Sequence, residues 1–372
     1  MAASAGTWRA FGRRAFRGTG WAHTSIRSAS SSQDTYEVVI GLEIHVQVKA
    51  NTKLFSGAGT SFGTYPNSQV ALFDASLPGT LPVINRACVE AAVRTGFALG
   101  ADVQLRSNFD RKHYNYADLP HGYQITQKHH PIVLGGKVEV PLKAGGVREV
   151  RLERIQLEVD TGKSSREGEY TAVDLNRAGS ALMEIVSEPD MRSGEEAVGF
   201  VKALQQMLRH IGTSDGNMEE GSLRADVNVS LRSSGGRQST RCELKNLNSL
   251  RSIQRAVEFE TARHRAALEA GGDVERETRT FDVSSGETVP LRSKESLLDY
   301  RFLVEPDLPP LVLSQSELYV WKRALSETPA ETLSRMQEQY GVSEEQAQVL
   351  MSNLGALPLF EGVLAAAHEA AA

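Results

Sequence analysis

The stretch YEVVIGLEIHVQVK, residues 36–49, decides how the chain is read. Tyr36, Val38, Ile40, Leu42, Ile44, Val46 and Val48 fall on one side of a period-two pattern, and Glu37, Glu43, His45, Gln47 and Lys49 on the other. Successive side chains of a strand project to opposite faces, so this stretch predicts a half-buried β-strand. Glu43 and His45 then stand side by side on its polar face. Whether that face is merely wet or holds something depends on what the rest of the chain sets beside it.

The pattern recurs. In GSLRADVNVSLR (221–232) Leu223, Ala225, Val227, Val229 and Leu231 alternate with Arg224, Asp226, Asn228, Ser230 and Arg232. In ERIQLEVDTGKS (153–164) Ile155, Leu157 and Val159 oppose Gln156, Glu158 and Asp160, and in STRCELKN (239–246) Arg241, Glu243 and Lys245 share a face. An antiparallel sheet can keep one face in water, and each run alone reads as such a face. Solvent faces, however, favour Thr, Lys, Ser and Gln, whereas these strands repeatedly place a carboxylate or imidazole beside Arg or Asn. If they share one sheet, the groups converge. Oxygen ligands of that kind hold Mg²⁺, and guanidinium forks grip phosphate oxygens, which is the equipment of phosphoryl transfer.

Three other motifs carry less. TGKS (Thr161–Ser164) lacks the first glycine of a Walker A loop, because Leu157 stands at that position. GTSFG (Gly59–Gly63) fits the GxSxG of a serine hydrolase, but TYPNS follows it where that elbow needs a helix, so Ser61 is not expected to be a nucleophile. His121, His129 and His130 lack helical zinc-site spacing and predict a surface loop.

The bulk properties are those of a globular protein of 372 residues, 40% hydrophobic and 23% charged. Its two cysteines, Cys88 and Cys242, form no framework and suit a reducing compartment as small core residues. Residues 1–33 carry five of the 41 basic residues and none of the 46 acids, together with many Ser and Ala. That composition predicts a mitochondrial transit peptide and a matrix location. The remaining chain has 36 basic against 46 acidic residues, a net charge of −10, which argues against wholesale electrostatic nucleic-acid binding but not against a local basic patch. No run approaches the ~18 apolar residues of a membrane span, so membrane insertion is not expected.

Helical periodicity predicts helices in NRACVEAAVRTGFALGA, capped by Asn85, in EEAVGFVKALQQMLRHIG, stopped at Gly212, and after Ser249 up to Gly271 and Gly272. After about residue 312 the texture becomes helical, with starts expected at Ser314, Ser326 and Ser343. The division is thus a targeting segment (1–33), an α+β domain built on an antiparallel sheet (34–311) and a short, incomplete helical segment (312–372). The sequence stops within a helical pattern without a closing cap, as in a shortened form or one whose end packs on a partner.

One further stretch, VDLNRAGSALMEIVSEPD (173–190), is more specific than any of these patterns. With IGLEIHVQ, FDRKHYNYADLP, GYQITQ, MEEGSLRADVNVS, ELKNLNS and DYRFLVEPD it resembles the B subunit of the glutamyl-tRNA(Gln) amidotransferase, from Tyr36 to about Asp307. The resemblance implies a cradle similar to the glutamine synthetase fold, in a heterotrimer with the amidotransferase A and C subunits. It implies ATP- and Mg²⁺-dependent phosphorylation of the glutamate on Glu-tRNA(Gln), followed by amidation with ammonia from glutamine, a carbon–nitrogen ligase reaction. Carried over residue by residue, Glu43, His45 and Glu158 match the family's metal-binding and catalytic positions. Asp226, Glu243 and Asn228 fall in matching motifs and are assigned to the same metal and nucleotide site. Arg111, Lys112, Lys163, Arg177 and Arg224 are candidates for phosphate or substrate-carboxylate contacts, each with a plain ion pair as its alternative. Tyr123, Gln124 and Gln127 are candidates for a polar ammonia route. The family continues into a larger helical region and a tRNA-gripping tail domain beyond the residues present in this sequence. The alternative function is therefore a non-catalytic binding partner of the other subunits.

Overall fold

A computed structural model describes residues 36–292, 299–353 and 355–371. The expected targeting segment, residues 1–33, lies outside them. Its strands in chain order are β1 (Tyr36–Gln47), β2 (Asp102–Val103), β3 (Arg106–Ser107), β4 (Asp110–His113), β5 (Tyr123–Thr126), β6 (Val133–Leu134), β7 (Lys137–Pro141), β8 (Val147–Val159) and β9 (Lys163–Glu167). They continue with β10 (Tyr170–Asp174), β11 (Ala181–Ser187), β12 (Leu223–Ser233), β13 (Cys242–Leu247), β14 (Thr278–Asp282), β15 (Glu287–Arg292), β16 (Leu303–Val304) and β17 (Leu311–Val312). The helices are α1 (Arg86–Ala98), α2 (Gly194–His210), α3 (Leu250–Glu269), α4 (Gln315–Arg323), α5 (Pro329–Tyr340), α6 (Glu344–Ser352) and α7 (Ala356–Ala371).

The period-two runs do share one sheet. Its path runs β15-β14-β13-β12-β1-β11-β8-β6-β2, with β7 paired to β8, so β1 lies at its centre. The apolar side of β1 is fully buried: Ile40, Leu42, Ile44 and Val46 are at most 1% exposed. Burial of each such side chain is worth about 1.5–3 kcal/mol, and a slip of one residue would drive Glu43 and His45 into the core. That fixes the register, which places Glu43 opposite Asp226 and His45 opposite Arg224 on β12, and His45 opposite Glu184 on β11.

Helices cover the apolar side. Asn85, Ser193 and Ser249 cap α1, α2 and α3 by accepting backbone N–H bonds. Val89 and Val93 of α1, Phe200, Leu204 and Leu208 of α2, and Ile253 and Val257 of α3 join the β1 residues in one core. Both cysteines are buried there as free thiols. The small sheet β16-β4-β5 lies against the polar side of β8, where Gln124 Nε2 donates to the Val159 carbonyl at 2.8 Å and Gln156 Nε2 to Thr126 Oγ1 at 3.0 Å.

The structure differs from the sequence expectations in three places. The large sheet is mixed rather than purely antiparallel, since β13 and β14 run parallel. Parallel neighbours need a crossover, and α3 supplies it. The helix expected from Ser326 begins instead after Thr328, whose side chain forms a capping box with Glu331. Pro329 holds the residue before it in extended backbone, so the helix cannot start earlier. Finally, α4 is packed rather than separate: Leu318 and Trp321 belong to the main core, and Arg86 of α1 stacks over the Trp321 ring at 5.7 Å. No single helix among the described residues is long and apolar enough to cross a membrane.

Candidate active site

The polar side of the sheet forms a cavity of about 960 Å³. Its floor is the face predicted to be loaded. Glu43 and His45 from β1, Glu158 from β8, Arg224, Asp226 and Asn228 from β12, and Glu243 and Lys245 from β13 all line it. Lys112, Tyr114 and Tyr300 form a wall, with Lys112 Nζ 5.2 Å from the Tyr300 ring centre.

On the β8 side, His45, Glu158 and Glu184 bring ligand atoms within 4.8 Å of one another. Glu158 is 1% exposed, and its Oε2 accepts no hydrogen bond. Lys112 Nζ stands 3.8 Å from that oxygen. Burial pushes the Glu158 carboxyl up, Lys112 opposes this, and Glu184 adds to it. Burial also pushes His45 down, which keeps a lone pair on the imidazole for ligation. Glu184 is held by Gln156, whose Nε2 donates to Oε2 at 3.0 Å. Two buried carboxylates, one with an unused oxygen, and a neutral imidazole fit a divalent cation: Glu158, Glu184 and His45 would hold it.

Glu184 is the member of this cluster that sequence reasoning missed. β11 is buried on both faces and reads as an apolar run, ALMEIVS, within which the solitary carboxylate was the available signal.

On the β12–β13 side, Lys245 Nζ reaches Asp226 Oδ2 at 2.7 Å and Glu243 Oε1 at 3.1 Å. Burial would lower this lysine, but the two acids hold it well above the usual range. Glu243 also accepts from Thr278 Oγ1 at 3.0 Å. Burial raises the Glu43 carboxyl, with contributions from Glu184, Glu243 and Asp226.

The remaining candidates divide. Arg224 lines the cavity with Nη2 2.6 Å from Asp160 Oδ2. Arg177 lies outside the cavity lining; it donates to the Thr161 and Gly162 carbonyls and stands 3.5 Å from the same Asp160 oxygen. Arg111 is not brought to the cavity. It forms a fork with Glu305, both bonds at 2.8 Å, and lies over the Tyr123 ring at 4.3 Å. Adjacent residues on a strand face opposite ways, so Arg111 and Lys112 cannot both point inward. Lys163 sits on the exposed β9–β10 hairpin. Gln124 lines the cavity, whereas Gln127 is buried elsewhere, bonded to Ser107 Oγ at 3.0 Å and to the Leu157 N–H at 3.0 Å. Ser61 lies in a stretch without regular structure, and no described cluster of metal-ligating residues includes His121, His129 or His130.

Residues 38–319 match the GatB/GatE catalytic domain. The B subunit of a chloroplastic/mitochondrial glutamyl-tRNA(Gln) amidotransferase of Ostreococcus tauri is 56% identical over 326 residues, 83% of this chain and 61% of that protein. A second such protein, from Micromonas commoda, is 52% identical over 90% of this chain and 63% of its own length. The B subunit of the aspartyl/glutamyl-tRNA(Asn/Gln) amidotransferase of Granulibacter bethesdensis is 52% identical over 88% of this chain and 68% of its length. The chain thus spans about three fifths of the organellar relatives it matches. By this match the chain belongs to the GatB/GatE family of tRNA-dependent amidotransferase subunits.

Proposed function

We propose that this chain is the phosphorylating component of a mitochondrial matrix amidotransferase that converts Glu-tRNA(Gln) to Gln-tRNA(Gln), working with an ammonia-releasing A subunit and a small C subunit. The observation that carries the reading is the unsatisfied buried Oε2 of Glu158 beside His45 and Glu184. Similarity to proteins named as glutamyl-tRNA(Gln) amidotransferase components supports it. The carboxylate-bearing sheet is read as a cradle similar to the glutamine synthetase fold.

A carboxylate is a poor electrophile. In the proposed reaction an oxygen of the tRNA-linked glutamate attacks the γ-phosphorus of ATP and ADP leaves. Ammonia then attacks the acyl carbon and phosphate leaves, giving the amide. Mg²⁺ bound by Glu158, Glu184 and His45 would offset the charge of the phosphates. Lys112 and Arg224 supply positive charge on the wall and floor, and Asp160 fixes the Arg224 fork. Asn228 and Glu243, opposite one another on β12 and β13, complete the floor. The acyl phosphate is prone to hydrolysis, so the Tyr114–Tyr300 wall, rings 5.8 Å apart, serves to limit water. No protein nucleophile is required.

The test is transfer of the γ-phosphate of ATP to Glu-tRNA(Gln) by this chain assembled with the A and C subunits. Formation of Gln-tRNA(Gln) supports the reading. Assembly with those two partners but no phosphate transfer favours the alternative of a non-catalytic binding partner.

A further inference from the structure

Two groups of acids on the polar side of the sheet differ in what stands between them. The His45–Glu158–Glu184 group has ligand atoms within 4.8 Å of one another and an oxygen that accepts no hydrogen bond. The group of Glu43, Asp226 and Glu243 already contains an ammonium, with Lys245 Nζ at 2.7 Å and 3.1 Å from Asp226 and Glu243.

The position of that ammonium is built into the backbone. Along β12 and β13, Ala225 pairs with Leu247 but Val227 with Leu244, so β13 carries one extra residue there. Asn246 takes φ +60° at this irregularity, a left-handed conformation that Asn tolerates better than most residues. A bulge of this kind re-aims the side chains beside it. Thr278 fixes the second acid by donating to Glu243 Oε2 at 3.0 Å. An ammonium and a divalent cation cannot share the same carboxylate oxygens at these distances without strong like-charge repulsion.

We propose that Lys245 is the resident cation of the Glu43–Asp226–Glu243 side, so that the cavity takes a single divalent ion, at His45–Glu158–Glu184. Sites that move phosphoryl groups often clamp them between two metal ions, about 3.5–4 Å apart. Here a lysine takes the place of the second. Unlike an ion, it cannot be removed by chelation, and it presents N–H donors to an anionic substrate entering between the two groups. The inference rests on the reading that the cavity binds a divalent cation.

Mn²⁺ titrated onto the purified full chain, with free Mn²⁺ counted by its paramagnetic resonance, tests it. The wild-type chain is expected to bind one ion. Lys245→Met and Lys245→Gln are expected to bind two, and Lys245→Arg one. Asp226→Asn is expected to keep the single ion with its affinity within threefold, whereas Glu184→Gln weakens it at least tenfold. Two ions on the wild-type chain overturn the inference, as does a folded Lys245→Met or Lys245→Gln chain that still binds one. Should both lysine variants fail to fold, loss of the ion in Asp226→Asn overturns it equally. No ion on the wild-type chain instead removes the divalent-ion reading itself.

Discussion

Two fully buried carboxylates, Glu158 in the cavity and Glu260 on α3, face opposite fates. Glu260 is 0% exposed and both its oxygens are engaged: Oε1 accepts from His264 Nε2 at 2.9 Å and Arg263 Nε at 3.0 Å, and Oε2 from Thr288 Oγ1 at 2.7 Å. Burial raises this acid, yet the bonds from His264, Arg263 and Thr288 override it and hold it well below the usual range. Glu158 is equally buried, but its Oε2 accepts nothing and its carboxyl is pushed up. A saturated carboxylate ties elements together, here α3 to β15. An unsaturated one stores an interaction for a ligand.

The largest expected effects come from crossing the two. Glu260→Gln strips the charge from the bonds made by His264, Arg263 and Thr288, while Arg263 and Arg279 keep Glu277 as a partner, and is expected to cost about 1.5–3 kcal/mol in urea unfolding with divalent-ion affinity unchanged. Glu158→Gln is expected to leave stability within about 1 kcal/mol, because it removes a charge whose burial is poorly compensated, yet to lower phosphate transfer by about 10²-fold or more. If Glu158→Gln unfolds the protein and Glu260→Gln abolishes transfer without loss of stability, the contrast is reversed.

pH sharpens the contrast further. Glu260 has a native value below its unfolded value of 4.5, so its stabilisation is present above pH 4.5 and lost as the pH falls below it. The gap in Tm between wild type and Glu260→Gln should therefore be full at pH 7 and shrink below pH 4.5. A gap that grows on acidification would contradict the saturated-carboxylate account.

Much of this arrangement was legible because it depends on period two. The alternation in β1, β8 and β12 named the sheet face and most of its acids, since parity along a strand needs no knowledge of the fold. Parity also held unused information: Arg111 and Lys112 are neighbours on β4, so one of them had to face away. What could not be read was non-local. Glu305, the partner of Arg111, lies 194 residues along the chain. The parallel pairing of β13 with β14 and the extra residue at Asn246 arise from how strands meet. Glu184 was hidden because a strand buried on both faces has no alternation to read.

A middle-sized effect concerns charge that is held but exposed to the cavity. Arg224 offers Asp160 one close contact, Nη2 to Oδ2 at 2.6 Å, and Arg177 also approaches that oxygen at 3.5 Å. Asp160 therefore keeps a cation when Arg224 is removed. Arg224→Ala is expected to raise KM for the anionic substrates about tenfold with little change in Tm, the loss of one charge-assisted contact. A fall in Tm with unchanged KM would class Arg224 with Glu260 rather than with Glu158.

The smallest test asks the same question of satisfaction at the surface. Sequence pattern puts the start of the fifth helix at Ser326, whereas the structure puts the cap at Thr328. Thr328 Oγ1 accepts from the Glu331 N–H at 3.3 Å, and the Glu331 carboxylate accepts from the Thr328 N–H at 2.7 Å. Removing that hydroxyl leaves an orphan donor in the first turn, so Thr328→Ala is expected to cost about 1 kcal/mol. Ser326→Ala touches no such donor and is expected to stay within about 0.5 kcal/mol. Thermal unfolding of the two variants separates them. Equal losses would mean that the helix start moves between the two hydroxyls, and that Pro329 does not fix it by restricting the residue before it.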